Sequence, residues 1–256
     1  MDLSQIMGAE MKRFLVTGSS RGLGLSIAAH LAEHGCEVIM LARPSPHFEE
    51  SYQHLNNQFK HVSKLDCDLS DRMEIDRTVR QIMDSSDYLD GIVFNAGVIH
   101  PISPIHEAND TQWEENIHVN LLSIQKMTKG LMPLLVGTGR TRITTISSGA
   151  AIRAVHSWSA YCVAKAGLEM WTKCLAEEYK THNISAISVA PGIVDTGMQE
   201  DIRNADPDKF PSHAQFVDFH QSGALSSSDD VAKKLMPLIM EHTMEQSGSR
   251  YDVRDL

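Results

Sequence analysis

The sequence predicts a doubly wound α/β fold, a single domain built on a seven-stranded, mostly parallel sheet. Three observations lead there. Short apolar runs alternate with stretches of helical spacing from residue 12 onward. A glycine-rich turn separates the first run from the first helix. No internal repeat, low-complexity tract or linker interrupts the alternation. Units of this kind build a parallel sheet covered by helices on both faces.

Taken in order, residues 14–17 form a first short apolar strand, and residues 26–34 carry helical spacing through Ile27 and Leu31. That helix stops at Gly35, a residue free to take the left-handed conformation of a C-terminal cap. Residues 38–41 are continuously apolar, as a strand buried on both faces requires. Val62 and Leu65 mark a third strand, with Ile75, Val79 and Ile82 on the helix after it. Residues 92–94 give a fourth strand, 113–135 a long helix and 142–147 a fifth strand. A helix over 159–180, a sixth strand over 184–189 and a last helix over 231–240 follow. Ser228 is the expected N-cap of that last helix, with Asp229 and Asp230 in its first turn. Residues 251–253 read as a final edge strand.

The domain is expected to span residues 11–256, with 1–10 an extension lacking fixed structure. Residues 192–227 form a long irregular stretch, and loops of that length in compact domains are usually lids or binding loops. It is therefore the expected substrate loop. The 256 residues carry 23 Lys and Arg against 33 Asp and Glu, a net charge of −10. Such a balance argues against binding a nucleic-acid backbone. No apolar run approaches the roughly 20 residues of a membrane span, and the first ten residues lack the pattern of a secretory signal. Cys36, Cys67, Cys162 and Cys174 are scattered and read as thiols of a reducing compartment. A cytoplasmic enzyme is the class that remains.

The glycine turn runs Thr17-Gly18-Ser19-Ser20-Arg21-Gly22-Leu23-Gly24. Glycines between a strand and a helix let backbone N–H groups approach a pyrophosphate at the helix N-terminus. The spacing is Gly-x-x-x-Gly-x-Gly rather than the Gly-x-Gly-x-x-Gly of many Rossmann-type dinucleotide-binding turns. Four further motifs follow in order: Asp68-Leu69, Asn95-Ala96-Gly97, Tyr161-x-x-x-Lys165, and Pro191-Gly192-Ile193-Val194-Asp195-Thr196. Together they resemble the short-chain dehydrogenase/reductase family across residues 12–253, nearest its sepiapterin reductase and benzil reductase branch.

Tyr161 and Lys165, four residues apart, share one helix face about 6 Å apart along the axis. An ammonium beside a phenol favours tyrosinate and lowers its pKa, and a phenol tuned toward neutrality can give a proton to a forming alkoxide. Ser148 lies 13 residues before Tyr161, the family's interval, where its hydroxyl would bond the substrate carbonyl; Ser147 is the alternative serine. The resemblance implies that Lys165 also holds the nicotinamide ribose, and that Asn120 orders a proton-relay water. An Asn within a helix can equally bond a neighbouring carbonyl.

The resemblance further implies a nicotinamide dinucleotide held by Gly18, Ser20, Arg21, Gly22, Leu23, Gly24, Arg43, Asp68, Leu69, Asn95, Ala96, Gly97, Pro191, Gly192, Val194 and Thr196, with Tyr161 and Lys165. An acid after the second strand reads a free 2′-hydroxyl, whereas arginine reads a 2′-phosphate. Here Ala42 takes the acid's position, Arg43 follows, and Arg21 lies in the glycine turn. NADP(H) is the expected cofactor. The predicted activity is reduction of a ketone or diketone to an alcohol, with Tyr161 as proton donor.

Two alternatives stay open: a pterin reductase, and a non-catalytic NADP-binding regulator. An extended-type epimerase is excluded, because its glycine spacing and longer C-terminal domain are missing. Met198 is a candidate substrate contact. Asp252 either anchors a pterin ring or simply pairs with Arg250 or Arg254. His30 and His34 share helical spacing without a third ligand, so no metal is expected. The family pairs through its fourth and fifth helices, which implies a homodimer or homotetramer.

Overall fold

The computed structural model describes residues 11–256; the expected extension at 1–10 lies outside the described residues. Seven strands form one sheet: β1 (Arg13–Thr17), β2 (Glu37–Ala42), β3 (Val62–Asp66), β4 (Gly91–Phe94), β5 (Arg142–Ile146), β6 (Ser185–Ala190) and β7 (Arg250–Asp252). Their order is β3-β2-β1-β4-β5-β6-β7. Every pairing is parallel, including β6 with β7, so the mostly parallel sheet of the sequence reading is fully parallel. The chain winds outward from β1 through β2 to β3, then returns to β4 on the other side of β1. At such a reversal the loops diverge above the strand C-termini and open a crevice, where ligands of these folds sit.

Side chains alternate across each strand, so β1 sends Phe14 and Val16 to one face and Leu15 to the other. Phe14 and Val16 pack with Ile27 and Leu31 of α1 (Gly22–Glu33), Phe48 and Leu55 of α2 (Pro46–Gln58), and Val231 and Leu235 of α9 (Ser228–Glu241). Leu15 packs with Ile75 and Ile82 of α3 (Arg72–Ser85), Leu131 of α5 (Ser123–Gly137) and Leu168 of α6 (Ser159–Glu178). Each such buried aliphatic side chain contributes about 1.5–3 kcal/mol.

Several elements differ from the sequence expectation. Helix α1 begins at Gly22, ahead of the expected Ser26, because the last two glycines of the turn already lie in its first turn. Helix α2 was not anticipated: few of its residues are buried, and its plainest signal is a capping one. Ser45 accepts from the Phe48 N–H at 3.1 Å, with Pro46 at the first helical position. The long helix starts earlier, as α4 (Asp110–Ile117) capped by Asn109, and relaxes into a π-turn at His118–Leu122 before α5. Ser227 rather than Ser228 caps α9, accepting from the Asp230 N–H at 3.0 Å. The stretch 192–227 is not irregular, since it contains α7 (Gly197–Arg203) and α8 (His213–Gln221). Phe210 and Phe216 in this stretch pack on Trp158 rather than on the sheet, with ring centroids 5.6 and 5.4 Å away. A third apolar cluster therefore sits over the C-terminal edge of the sheet and includes Tyr161.

Candidate active site

The glycine turn is built by close approach. Gly18 and Gly22 hold φ angles of +66° and +55°, the left-handed region in which a side chain is strained. Neighbouring polar groups fix the turn to the sheet. Asn95 Nδ2 donates to the carbonyl oxygens of Thr17 and Gly18 at 3.0 and 3.2 Å. Thr17 Oγ1 accepts from the N–H groups of Asn95 and Ala96 at 3.0 and 3.1 Å. Ser19 Oγ accepts from the Leu41 N–H at 2.9 Å. Thr17 and Ser19 thus do as much for the turn as the glycines, yet a lone hydroxyl in a sequence gives no sign of that.

Helix α6 brings Tyr161 and Lys165 to the end of β5. Both are buried, and Lys165 Nζ donates to the Ile146 carbonyl oxygen at 2.8 Å. The expectation of a phenol pKa brought toward neutrality is not met: the net shift of Tyr161 is upward. Burial dominates and pushes the phenol up to about 12, while interaction with the Ser148 hydroxyl pulls it the other way. Burial also pushes the Lys165 ammonium down to about 8. The phenol is therefore protonated at neutral pH, the state a proton donor needs. Ser148 accepts from the Ala150 N–H at 3.1 Å. The alternative serine, Ser147, is turned to Glu169 and donates to its Oε1 at 2.6 Å.

A cleft of about 980 Å³ joins these parts. Gly18, Ser20, Arg21, Gly22, Leu23, Arg43, Asp68, Leu69, Asn95, Ala96 and Gly97 line it, together with Pro191, Gly192, Val194, Thr196 and Met198 and with Ser148, Tyr161 and Lys165. Trp158 and Ile99 went unrecognised in the sequence, and with Ile202 they add an apolar wall beside Tyr161.

Three expected residues lie elsewhere. Gly24 is buried beneath the turn, where a Cβ would collide with the Gly18 carbonyl. Asn120, in the π-turn and fully buried, spends its amide on structure. Its Oδ1 accepts from the Val98 N–H at 3.1 Å, and its Nδ2 donates to the Val98 carbonyl and to Asn116 Oδ1 at 2.8 and 2.7 Å. It shapes the Gly97-Val98 wall, and one lone pair of its Oδ1 is left over from these bonds. Asp252 lies off the cleft wall and takes a two-pronged ion pair from Arg254, with Nε to Oδ1 at 2.7 Å and Nη2 to Oδ2 at 2.6 Å.

The donor set fits a dinucleotide. Arg21 and Arg43 are exposed and line the cleft, and among the described residues neither has a carboxylate partner. The glycine turn leaves its backbone open to the same space. Among the described residues no group of three metal-ligating side chains occurs. His30 is instead held between Glu33 and Asp229, each at 2.9 Å.

Residues 12–207 match the model of the short chain dehydrogenase family. The chain is 32% identical to a benzil reductase ((S)-benzoin forming) of Bacillus cereus over 90% of its own length and 94% of that protein. It is 31% identical to the benzil reductase of Bacillus subtilis, over 96% and 99% of the two chains. The solved structure of a short chain dehydrogenase/reductase from Saccharomyces cerevisiae superimposes with a TM-score of 0.86 at 27% identity, covering 95% of this chain and 96% of that one. With sheet order, glycine turn and the Tyr161–Lys165 helix in the same frame, the chain belongs to the short chain dehydrogenase family and is an oxidoreductase.

Proposed function

We propose that this enzyme reduces a ketone or aryl diketone to an alcohol with NADPH, Tyr161 giving the proton. The observation that carries this reading is the meeting of Ser148, Tyr161 and Lys165 in one cleft with the glycine turn. A dinucleotide, when bound, supplies the hydride. Ser20 and Gly22 would receive its phosphates on backbone N–H groups, with Arg21 and Arg43 forming charge-assisted bonds to a 2′-phosphate. Lys165 would hold the ribose hydroxyls.

The chain's own chemistry then concerns one oxygen. Ser148 donates to the substrate carbonyl oxygen, stabilising charge as it develops. Tyr161 Oη passes its proton to that oxygen as the alkoxide forms, and the nearby ammonium of Lys165 steadies the tyrosinate left behind. Met198, Ile202 and Trp158 surround this point with apolar surface, which suits an aromatic substrate and keeps water out. The benzil reductases among the relatives support the diketone assignment.

A cytoplasmic homodimer or homotetramer completes the reading. Leu122, Val163 and Met170 leave apolar side chains exposed around α5 and α6, a face that pairing would cover. The test is NADPH oxidation with benzil as substrate. Tyr161→Phe is expected to lose nearly all turnover while NADPH affinity stays within about threefold, because the ring still packs and only the proton donor is gone. Normal turnover by Tyr161→Phe overturns the assignment.

A further inference from the structure

Tyr161, Lys165 and Glu169 lie at i, i+4 and i+8 on α6, so they share one stripe of the helix. All three are buried. The stripe meets three consecutive residues at the end of β5. Lys165 Nζ donates to the Ile146 carbonyl oxygen at 2.8 Å. Ser147 Oγ donates to Glu169 Oε1 at 2.6 Å, a charge-assisted length. Ser148 follows and lines the cleft with Tyr161.

Ser147 is fixed twice. Its N–H donates to the Val189 carbonyl oxygen of β6 at 2.7 Å, and its hydroxyl is held by Glu169. Glu169 is itself held from the far side, where Arg250 Nε of β7 donates to the same Oε1 at 2.8 Å. The ion pair is well buried, with side-chain exposures of 21% for Arg250 and 10% for Glu169. Stability is a poor reason for such a pair, since desolvating both ions offsets most of their attraction and apolar residues of similar size often serve better. Its position next to Ser148 offers a better one.

We infer that Glu169 is a positioning residue for carbonyl reduction: it clamps Ser147, and through that residue sets where Ser148 presents its hydroxyl. The inference rests on the proposed catalytic roles of Ser148 and Tyr161. It also makes β7, through Arg250, part of the support of the active site. A misplacement of about 1 Å near reacting atoms can cost about a hundredfold in rate, so a lost clamp is readable in kcat.

Four variants test it by NADPH-dependent benzil reduction, with KM for NADPH measured alongside. Glu169→Ala is expected to lower kcat at least about tenfold with that KM changed by less than about threefold. Glu169→Gln keeps an oxygen that can accept from Ser147, and is expected to restore kcat to within about threefold of the parent. Ser147→Ala is expected to reproduce the loss, and Ser147→Ala combined with Glu169→Gln to be no slower than Ser147→Ala alone. Near-parental kcat in Glu169→Ala overturns the inference, as does a Gln variant no faster than the Ala one. Should Glu169→Ala fail to fold, undiminished kcat in Ser147→Ala is the overturning result. Tyr161→Phe in the same assay separates the two levels: if it is inactive while Glu169→Ala is active, only the clamp is wrong.

Discussion

Lys165 Nζ donates to the carbonyl oxygen of Ile146 across 2.8 Å, tying α6 to the end of β5. The ammonium is thereby held where desolvation opposes its charge, and its pKa falls to about 8. Tyr161, pushed up to about 12, keeps its proton throughout the neutral and mildly alkaline range. One ionisation, that of Lys165, is therefore expected to govern the alkaline side of the free enzyme. Above about pH 8 Lys165 loses the charge and a donor it would offer to the dinucleotide ribose. The kcat/KM for NADPH is expected to fall about tenfold per pH unit there, since that parameter reports free-enzyme groups. Lys165→Arg keeps its charge at every accessible pH, so the fall should vanish in that variant even if its rate is lower throughout. An identical alkaline limb in both proteins removes Lys165 as its source.

The packing of Gly24 gives a second expectation. A Cβ there would collide with the Gly18 carbonyl oxygen and with Asn95 Nδ2, so both the turn and its anchor on β4 would have to move. Overpacking of this kind costs about 1–3 kcal/mol. Gly24→Ala should lower Tm and weaken NADPH binding together, whereas Gly35→Ala, where no neighbour lies within 4 Å but φ is +76°, should lower Tm and spare binding. Calorimetry with and without NADPH separates the two; equal effects on binding would contradict the packing account.

How far the sequence carried differed by element, and the reasons are physical. The Tyr161–Lys165 pair was legible because helical spacing alone puts both on one face. Glu169 continues the same spacing but was passed over, because a helical carboxylate ordinarily faces solvent. Only Ser147 and Arg250, 22 and 81 residues away in the chain, make it a buried partner. Helix α2 escaped notice because Phe48, Ser51 and Leu55 are the buried part of its 13 residues. Helices α7 and α8 did so because their hydrophobic partners, Trp158 and the Tyr161 ring, lie at the start of α6, well before them in the chain. Long-range pairing, not local pattern, defined what was missed.

Cofactor choice should follow the two arginines. Arg21 and Arg43 both line the cleft, and Ala42, the last residue of β2, is buried beside Arg43 in the chain. NADPH is expected to exceed NADH by at least about tenfold in kcat/KM, about 1.4 kcal/mol. Combining Ala42→Asp with Arg43→Leu should narrow or reverse this, because a carboxylate repels a 2′-phosphate and accepts from a 2′-hydroxyl. Steady-state kinetics with both dinucleotides decide it. Equal use of the two by the parent enzyme would contradict the assignment.

The last expectation concerns Asp252, where a substrate role and a structural one make opposite predictions. Both of its oxygens are engaged by Arg254: Oδ1 accepts from the backbone N–H at 3.1 Å and from Nε at 2.7 Å, and Oδ2 from Nη2 at 2.6 Å. Arg250 Nη2 stands 4.0 Å from Oδ2. Arg254 holds the carboxyl below its usual range, chiefly through the side-chain hydrogen bonds. A depressed carboxylate pKa contributes stability that is present above the unfolded value of 3.8 and is lost as pH falls through the folded one. Since Arg254 is 70% exposed, solvent screens the pair, and about 0.5–1 kcal/mol is a fair size for it. Asp252→Asn should therefore lower Tm by a few degrees at neutral pH, with the gap closing on acidification. Diketone and pterin substrates should be affected alike, because the side chain does not line the cleft. A carboxylate that anchors a pterin would act differently, raising KM for sepiapterin alone when it loses its charge, since only the pterin offers paired N–H donors. Measuring KM for benzil and sepiapterin in parent and variant thus decides between them, and a rise confined to sepiapterin would return Asp252 to the substrate site.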